Sequence, residues 1–153
     1  MAITSTQFAG VVSVPRAKVR PQDNGQSVKI VIAQTPTTYI AQVVNELFDM
    51  GVIPQGSRLT LNTVVECAAG AVSSTLSIGL RSMATGVVVS ATQIASAVNL
   101  NAAGIKAANN GAAFAGTGYI CPEDMVAYGT FTGATNTANQ QITVYLEYLP
   151  ASA

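Results

Sequence analysis

Few residues of this chain could do chemistry, and they are scattered along it. The sequence contains no His, so it lacks the commonest general base and the commonest transition-metal ligand. Cys121, Glu123 and Asp124 are close enough in sequence to share a metal ion, but their setting beside a proline is typical of a solvated turn. Cys67 follows Glu66, and neighbouring side chains of a strand point to opposite faces, so these two would not meet. The sequence therefore predicts no catalytic residue, no metal site and no enzymatic activity.

Signatures for cofactors, nucleic acid and membranes are also missing from the sequence. Gly116-Thr-Gly118 is not followed by x-x-G or by Lys-Ser/Thr, so neither nucleotide fingerprint is present. The formal net charge is zero, so no long-range field draws nucleic acid or a membrane surface. The first residues lack a charged leader, which predicts synthesis and folding in a cytoplasm. There Cys67 and Cys121 are expected to be reduced and buried, with a disulfide as the less favoured alternative.

Composition points to a surface that contacts other protein. Charged residues make up 9% of the chain and hydrophobic residues 49%, with only 6% aromatic. An average soluble domain has about 25% charged residues. A surface with so few charges has little electrostatic repulsion to prevent its association with other proteins. We therefore expect much of the surface to meet other polypeptide; the alternative is an ordinary Ala-rich monomer.

Alternating apolar residues predict several short strands. Residues 28–33, 58–66, 74–80, 125–132 and 141–149 all alternate, and residues 87–91 form a short β-branched run. The residues that share one face of a strand are Leu59, Leu61 and Thr63, then Leu76, Ile78 and Leu80, and finally Ile142, Val144, Leu146 and Tyr148. The loop 133–139 between the last two strands predicts a terminal hairpin. Short strands separated by Gly, Asn, Ser and Thr predict a mainly β fold, an antiparallel β-sandwich or jelly-roll with at most one or two short helices.

Residues 38–61 leave two alternatives open. Ile40, Val43, Val44 and Leu47 have partly helical spacing, but partial alternation is equally consistent with a strand that contains a bulge. Pro54 presets φ, and Gly56 can take a positive φ in a type II turn beginning at Ile53. The sequence favours strand–turn–strand over helix–turn–strand.

The stretch from residue 90 to residue 118 is the least regular. Ser90 to Gln93 resembles a weak capping box, and Ile94 and Val98 would share a helical face, which predicts one short helix. The Ala-, Gly- and Asn-rich residues that follow predict a long loop up to residue 118.

The first residues are predicted to form an extended arm. Pro15, Pro21 and the stretch Asp23 to Gln26 interrupt regular structure, which sets an arm at 1–27 and a single β-sandwich domain at 28–153. Arg16, Lys18 and Arg20 alternate, so an extended arm would carry them on one side and could lie on an acidic neighbour. The alternative is a frayed, solvated terminus.

Three stretches resemble the capsid decoration, or cement, proteins of tailed bacteriophages. They are FDMGVIPQGSRLTLNTVVE, STLSIGL and EDMVAYGTFTGATNTANQQITVYLEYL, which together lie within residues 40–149. The resemblance implies a β-sandwich or jelly-roll, often trimeric, on the exterior of an assembled virion. The implied partners are the major capsid protein and other copies of the chain, made in the bacterial host cytoplasm.

The resemblance implies a passive mechanism. A module that bridges joints between coat subunits stabilises the assembled shell by binding it preferentially. The arm from Phe8 to Arg20 would reach a neighbouring subunit, with Arg16, Lys18 and Arg20 on coat carboxylates. Two alternatives stay open: a self-assembling coat or tail protein, and a small carbohydrate-binding or hydrolytic β-sandwich. The last would need an apolar cleft with convergent polar groups, and the lack of His and Trp argues against it.

Overall fold

A computed structural model describes residues 28–116 and 118–151. The predicted arm 1–27, with Phe8, Arg16, Lys18 and Arg20, lies outside the described residues. In chain order the strands are β1 (Lys29–Gln34), β2 (Leu47–Ile53), β3 (Arg58–Leu59), β4 (Val64–Cys67), β5 (Thr75–Ser82), β6 (Val88–Asn99), β7 (Gly104–Ala107), β8 (Met125–Thr132) and β9 (Ile142–Leu149). A short 3-10 helix, Ala112–Phe114, lies between β7 and β8.

The strands form two antiparallel sheets that pack face to face, which confirms the predicted β-sandwich. Sheet A has the order β1-β9-β4-β7, with β3 also pairing with β9, and sheet B has the order β2-β8-β5-β6. Sequence neighbours often fall in different sheets, so most pairings join distant parts of the chain.

The core consists of inward-facing residues from both sheets. Alternation places Leu76, Ile78 and Leu80 on the inner face of β5, where each is fully buried. Ile142, Val144 and Leu146 do the same on β9. Gly79 lies between these β5 residues on the other face, where an added Cβ would lie 2.5 Å from the Ser90 carbonyl oxygen. A side chain at residue 79 would therefore push β6 away from β5.

Strand–turn–strand is confirmed for residues 47–59, and the helical alternative is wrong. Residues 39–46 are irregular, and β2 begins only at Leu47, with a register shift between Asp49 and Gly51. The turn begins at Pro54, one residue later than expected, because the Ser57 amide donates to the Pro54 carbonyl over 3.2 Å. Gly56 is then the third turn residue, with φ of 76°.

The predicted strand 58–66 is interrupted. β3 ends at Leu59 and β4 begins at Val64, so Leu61 lies between them and is exposed. The predicted terminal hairpin is also wrong. β8 belongs to sheet B and β9 to sheet A, so the loop 133–139 crosses from one sheet to the other. Local alternation identifies a strand but not the partner with which it pairs.

The predicted short helix after Ser90 is wrong, because these residues lie in β6. Ile94 and Val98 are both buried, but the i, i+4 spacing that imitated a helix arises in an irregular strand. β6 shifts register against β5 between Leu76 and Ile78. The segment that leads into the 3-10 helix also packs against Ile94, and there the Gly111 amide donates to the Ile94 carbonyl over 2.9 Å. Burial on both sides removes the alternation that identifies a strand.

The predicted long loop before residue 118 is wrong in part. It contains β7, which pairs with β4, and the 3-10 helix Ala112–Phe114. β7 is extended by a hydrogen bond of 2.9 Å from the Ala108 amide to the Thr63 carbonyl. The sequence does not indicate this strand, because its residues are mostly small and do not alternate. Its only large apolar side chain, Ile105, points outward and is exposed.

Candidate functional site

The structure separates the residues near Cys121 that could have bound a metal. Cys121 is fully buried, whereas Asp124 accepts a hydrogen bond of 2.8 Å at Oδ1 from the Gln55 backbone amide. Burial raises the pKa of the Cys121 thiol to about 11. Within the described residues, no three Cys, Asp or Glu side chains come close enough to hold a metal ion. The carboxylate at residue 124 has a structural role in the turn.

A cysteine–lysine contact that the sequence did not predict lies on sheet A. As expected, Cys67 is buried and the Glu66 side chain is exposed on the opposite face. However, the Lys106 Nζ donates to the Cys67 Sγ over 3.1 Å and also contacts the Ala102 carbonyl oxygen. The pairing of β4 with β7 creates this contact over 39 residues, and no local spacing indicates it.

Two hollows on the surface differ in polarity. A hollow of about 220 Å³ lies beside the irregular segment before β2 and is lined by Thr35, Pro36, Tyr39, Gln42, Leu47, Phe48 and Phe131. A wider and more polar hollow of about 580 Å³ is lined by Gln34, Glu66, Cys67, Ala68, Ala103, Gly104, Gln141, Thr143 and Tyr145. Neither lining unites a nucleophile, a base and a group that orients the base, which is the arrangement that covalent catalysis requires.

The most distinctive property of this surface is exposed apolar area, and one part of it is the outer side of sheet A. We call this surface the sheet A face; it comprises Ile30, Ile32, Gln34, Val64, Glu66, Ile105, Ala107, Thr143, Tyr145 and Glu147. Register places Ile32 beside Tyr145, Tyr145 beside Val64, and Val64 beside Ala107, so one apolar row crosses all four strands. Ile32 is 59% exposed. Single exposed apolar residues are ordinary, but a contiguous row marks an interaction surface.

The charges of the sheet A face are all negative. Glu66 accepts a hydrogen bond of 3.3 Å from the Tyr145 hydroxyl, which burial of the ring and the nearby carboxylate together leave with a raised pKa. Glu147 Oε1 accepts from Thr60 Oγ1 at 2.8 Å and from Asn62 Nδ2 at 2.9 Å. All three donors are neutral. The face therefore presents two carboxylates without a cation from residues 28–116 or 118–151.

A second apolar surface lies at the turn between β5 and β6. We call it the β5–β6 tip, and its exposed residues are Met83, Val87, Val88 and Val89. The Gly86 amide donates to the Ser82 carbonyl over 2.9 Å, and Gly86 has φ of 72°, so the turn is tight. The three valines that follow this turn, Val87, Val88 and Val89, are exposed.

A third apolar surface lies at the opposite end of sheet B. We call it the crossover segment: the irregular residues between β1 and β2 that expose Ile40, Val43 and Val44, continuing to Leu47. Leu47 pairs with Thr130 at one end of β8, whereas the β5–β6 tip follows the pairing of Ser82 with Met125 at the other end. The sandwich therefore exposes apolar side chains at two opposite ends.

The predicted partner-binding residues Phe8, Arg16, Lys18 and Arg20 lie outside the described residues. The structure accordingly brings none of them to a site. Across the part of the chain that the structure describes, no helix has the length and apolar character to cross a membrane.

The fold has counterparts among solved phage capsids. No protein-family model matches the chain, and no curated protein matches it. A chain from the capsid of Ralstonia phage GP4 is similar in structure, with a TM-score of 0.65 and 15% identity over 89% of this chain and 93% of that chain. A chain from the cyanophage Pam1 capsid asymmetric unit has a TM-score of 0.55 and 14% identity, covering 98% of this chain and 99% of that chain. The β-sandwich of this chain is thus a fold that occurs in phage capsids.

Proposed function

We propose that this chain is a non-enzymatic structural protein of a phage virion, which binds the outer surface of an assembled capsid and stabilises joints between coat subunits. The single observation that carries the proposal is the exposed apolar surface at opposite ends of sheet B, at the β5–β6 tip and the crossover segment. A module with a contact surface at each end can bridge two subunits of a shell. Binding only the assembled shell would then stabilise it by mass action.

The fold and the composition support the same proposal. Chains of this fold occur in the capsids of Ralstonia phage GP4 and cyanophage Pam1. The strand order β1-β9-β4-β7 facing β2-β8-β5-β6 supports the jelly-roll form of the sandwich. With 9% charged residues, the chain has a surface that protein contacts would cover well. The proposed partners are the major capsid protein and further copies of this chain, in a trimer on the virion exterior.

The proposed domain organisation is an arm at 1–27 and one β-sandwich domain at 28–153. The arm, with Phe8, Arg16, Lys18 and Arg20, is proposed to contact a neighbouring subunit of the shell. An arm on each copy makes every later contact intramolecular, which raises the overall affinity without any new surface on the body.

The test is to mix the purified chain with undecorated particles and to image them. We expect ordered density on the exterior of the shell. A Val87→Asp variant places a charge in the β5–β6 tip, at a residue that is 65% exposed, so folding should be unaffected while binding weakens by about tenfold or more. The matched control is Ala112→Asp, which adds the same charge at an exposed residue of the 3-10 helix, outside the residues of the three apolar surfaces. Equal binding by the two variants would contradict the role given to the tip.

A second candidate is a self-assembling coat or tail protein, which the same capsid neighbours also support. It differs from decoration in its end point. A self-assembling protein forms open or shell-sized assemblies on its own, whereas a decoration protein stops at a small closed oligomer.

A further inference from the structure

The sheet A face is an apolar surface that nothing in residues 28–116 and 118–151 covers. Its central row joins Ile32, Tyr145, Val64 and Ala107 across the full width of the sheet. Ile105, on the outermost strand, is 71% exposed. Covering this row would remove a continuous apolar area from water, which is the main driving force of most protein association.

The charges beside this row restrict what the cover can be. The carboxylates of Glu66 and Glu147 flank it, and their donors are the neutral groups of Tyr145, Thr60 and Asn62. The salt bridge found in the described residues, Arg81 with Asp49, belongs to sheet B. A complementary partner therefore presents apolar side chains together with cations.

Residues 8–20 of this same chain have that composition. They read FAGVVSVPRAKVR, an apolar β-branched stretch followed by Arg16, Lys18 and Arg20 in alternation with Ala17 and Val19. Residues 1–27 carry three cationic side chains and one carboxylate, a formal charge of +2. Residues 28–151 carry four cationic side chains and six carboxylates, a formal charge of −2. The two parts of the chain are complementary in charge.

The position at which the described chain begins favours a neighbouring copy as the acceptor. Val28 precedes β1, which is the edge strand of sheet A. A chain that continues along the axis of β1 moves away from its own sheet, and it would have to reverse to cover that sheet. Residues 21–27 can span up to about 23 Å, more than the roughly 14 Å between the outer strands of a four-stranded sheet. The arm is therefore long enough to extend beyond the edge of its own sheet.

We propose that residues 8–20 of one copy bind the sheet A face of a neighbouring copy. The apolar residues lie on the row through Ile32 and Val64, and the cations lie beside Glu66 and Glu147. This inference rests on the proposed function in one respect, that copies of the chain stand beside one another on a shell. Each copy donates one arm and accepts one, so the contact is heterologous, and in the trimer proposed above it forms a closed ring.

The test separates the arm from the face that receives it. A chain lacking residues 1–20 keeps the face and cannot donate, whereas an Ile32→Lys variant keeps the arm and has a blocked face. We expect each alone to self-associate at least about tenfold more weakly than the full chain in sedimentation velocity. Mixed in equal amounts, the two should form a heterodimer. Thr135→Lys is the matched control, because it adds the same charge at another exposed residue, and it should associate like the full chain.

Charge reversal tests the carboxylates. Glu66→Lys on the face should weaken self-association, and combining it with Arg16→Glu and Lys18→Glu on the arm should restore it to within about threefold. The association should also weaken as salt is raised. A double reversal that stays as weak as the single one would overturn the pairing of arm cations with this face.

The remaining outcomes bear on this inference and on the proposed function separately. If the deletion has the same oligomeric state as the full chain, or if the two blocked variants do not combine, the exchange of arms is wrong. Decoration of particles by the same deletion would support the proposed capsid-binding role of the body and would count against the proposed contact of the arm with the shell. Conversely, a chain that exchanges arms but leaves undecorated particles bare supports the inference and counts against the proposed function.

Discussion

At the scale of single residues, burial decides what the two cysteines can do. Cys121 is fully enclosed, and its thiol has a raised pKa of about 11 because the thiolate would lose its hydration. Cys67 is also buried but has the Lys106 ammonium within 3.1 Å. Both are free thiols. Cys121, which precedes β8, thus lies in an apolar setting, whereas Cys67, at the end of β4, lies beside a cation.

The raised pKa of Cys121 makes stability depend on alkaline pH. Against an ordinary value of 9.0, a folded value of about 11 means that the neutral thiol stabilises the fold fully below pH 9. As pH rises from 9 to 11 the unfolded chain ionises first, and a contribution of roughly 2 to 3 kcal/mol is lost. Urea unfolding at several pH values should therefore show a shallower decline for Cys121→Ala than for the parent chain. Identical slopes would contradict this prediction, because the buried tyrosines contribute equally to both.

At the scale of elements, side-chain amides attach the crossover segment to the loop between β8 and β9. Asn136 is buried and accepts at Oδ1 from the Gln42 amide over 2.6 Å, while its Nδ2 donates to the Tyr39 hydroxyl over 3.0 Å. Asn139 Oδ1 accepts from the Tyr39 amide over 2.7 Å. An irregular segment needs such partners because it has no ladder to satisfy its backbone. These bonds hold the exposed residues of the crossover segment in place.

Removing the Asn136 amide should loosen this attachment. We expect Asn136→Ala to lower the free energy of unfolding by about 2 kcal/mol, because it leaves the Gln42 backbone amide without its acceptor and the Tyr39 hydroxyl with the Gln140 carbonyl alone. Urea denaturation measures the change. Thr135→Ala is the matched control at the adjacent, exposed residue, and it should be close to neutral. A similar loss in both would mean that the loop, and not the amide, is responsible.

At the scale of the whole molecule, apolar surface is distributed over three sides of one sandwich. The sheet A face, the β5–β6 tip and the crossover segment point in different directions. A catalytic protein would concentrate its functional groups in one concave site. A protein with contact surfaces on several sides is instead suited to join neighbours, which agrees with the structural role proposed above.

Light scattering on the purified chain distinguishes the two structural roles. We expect a small closed oligomer whose mass does not increase as concentration is raised beyond saturation, because the proposed arm exchange closes a ring. Growth to shell-sized or filamentous particles without coat protein would favour the self-assembling alternative.

The sequence by itself determined the fold class, a sandwich of short antiparallel strands. Alternation at Leu76, Ile78 and Leu80 and again from Ile142 to Leu146 predicted strands and the residues that share a face of each, and the structure buries those residues. A shared face is a local property, because the side chains of a strand alternate with period 2. The low charge predicted a surface made for protein contact, since composition limits what any surface can carry.

The tertiary structure alone decided pairing and the location of the apolar surfaces. β8 and β9 are sequence neighbours in different sheets. β6 looked helical because its register shifts and the burial of Gln93, Ile94 and Ala95 in succession remove its alternation. Ile32 on the sheet A face faces outward, while the equally apolar Ile78 faces the core. The physical reason is that alternation shows which residues share a face, whereas only the packing of distant strands determines which face is buried.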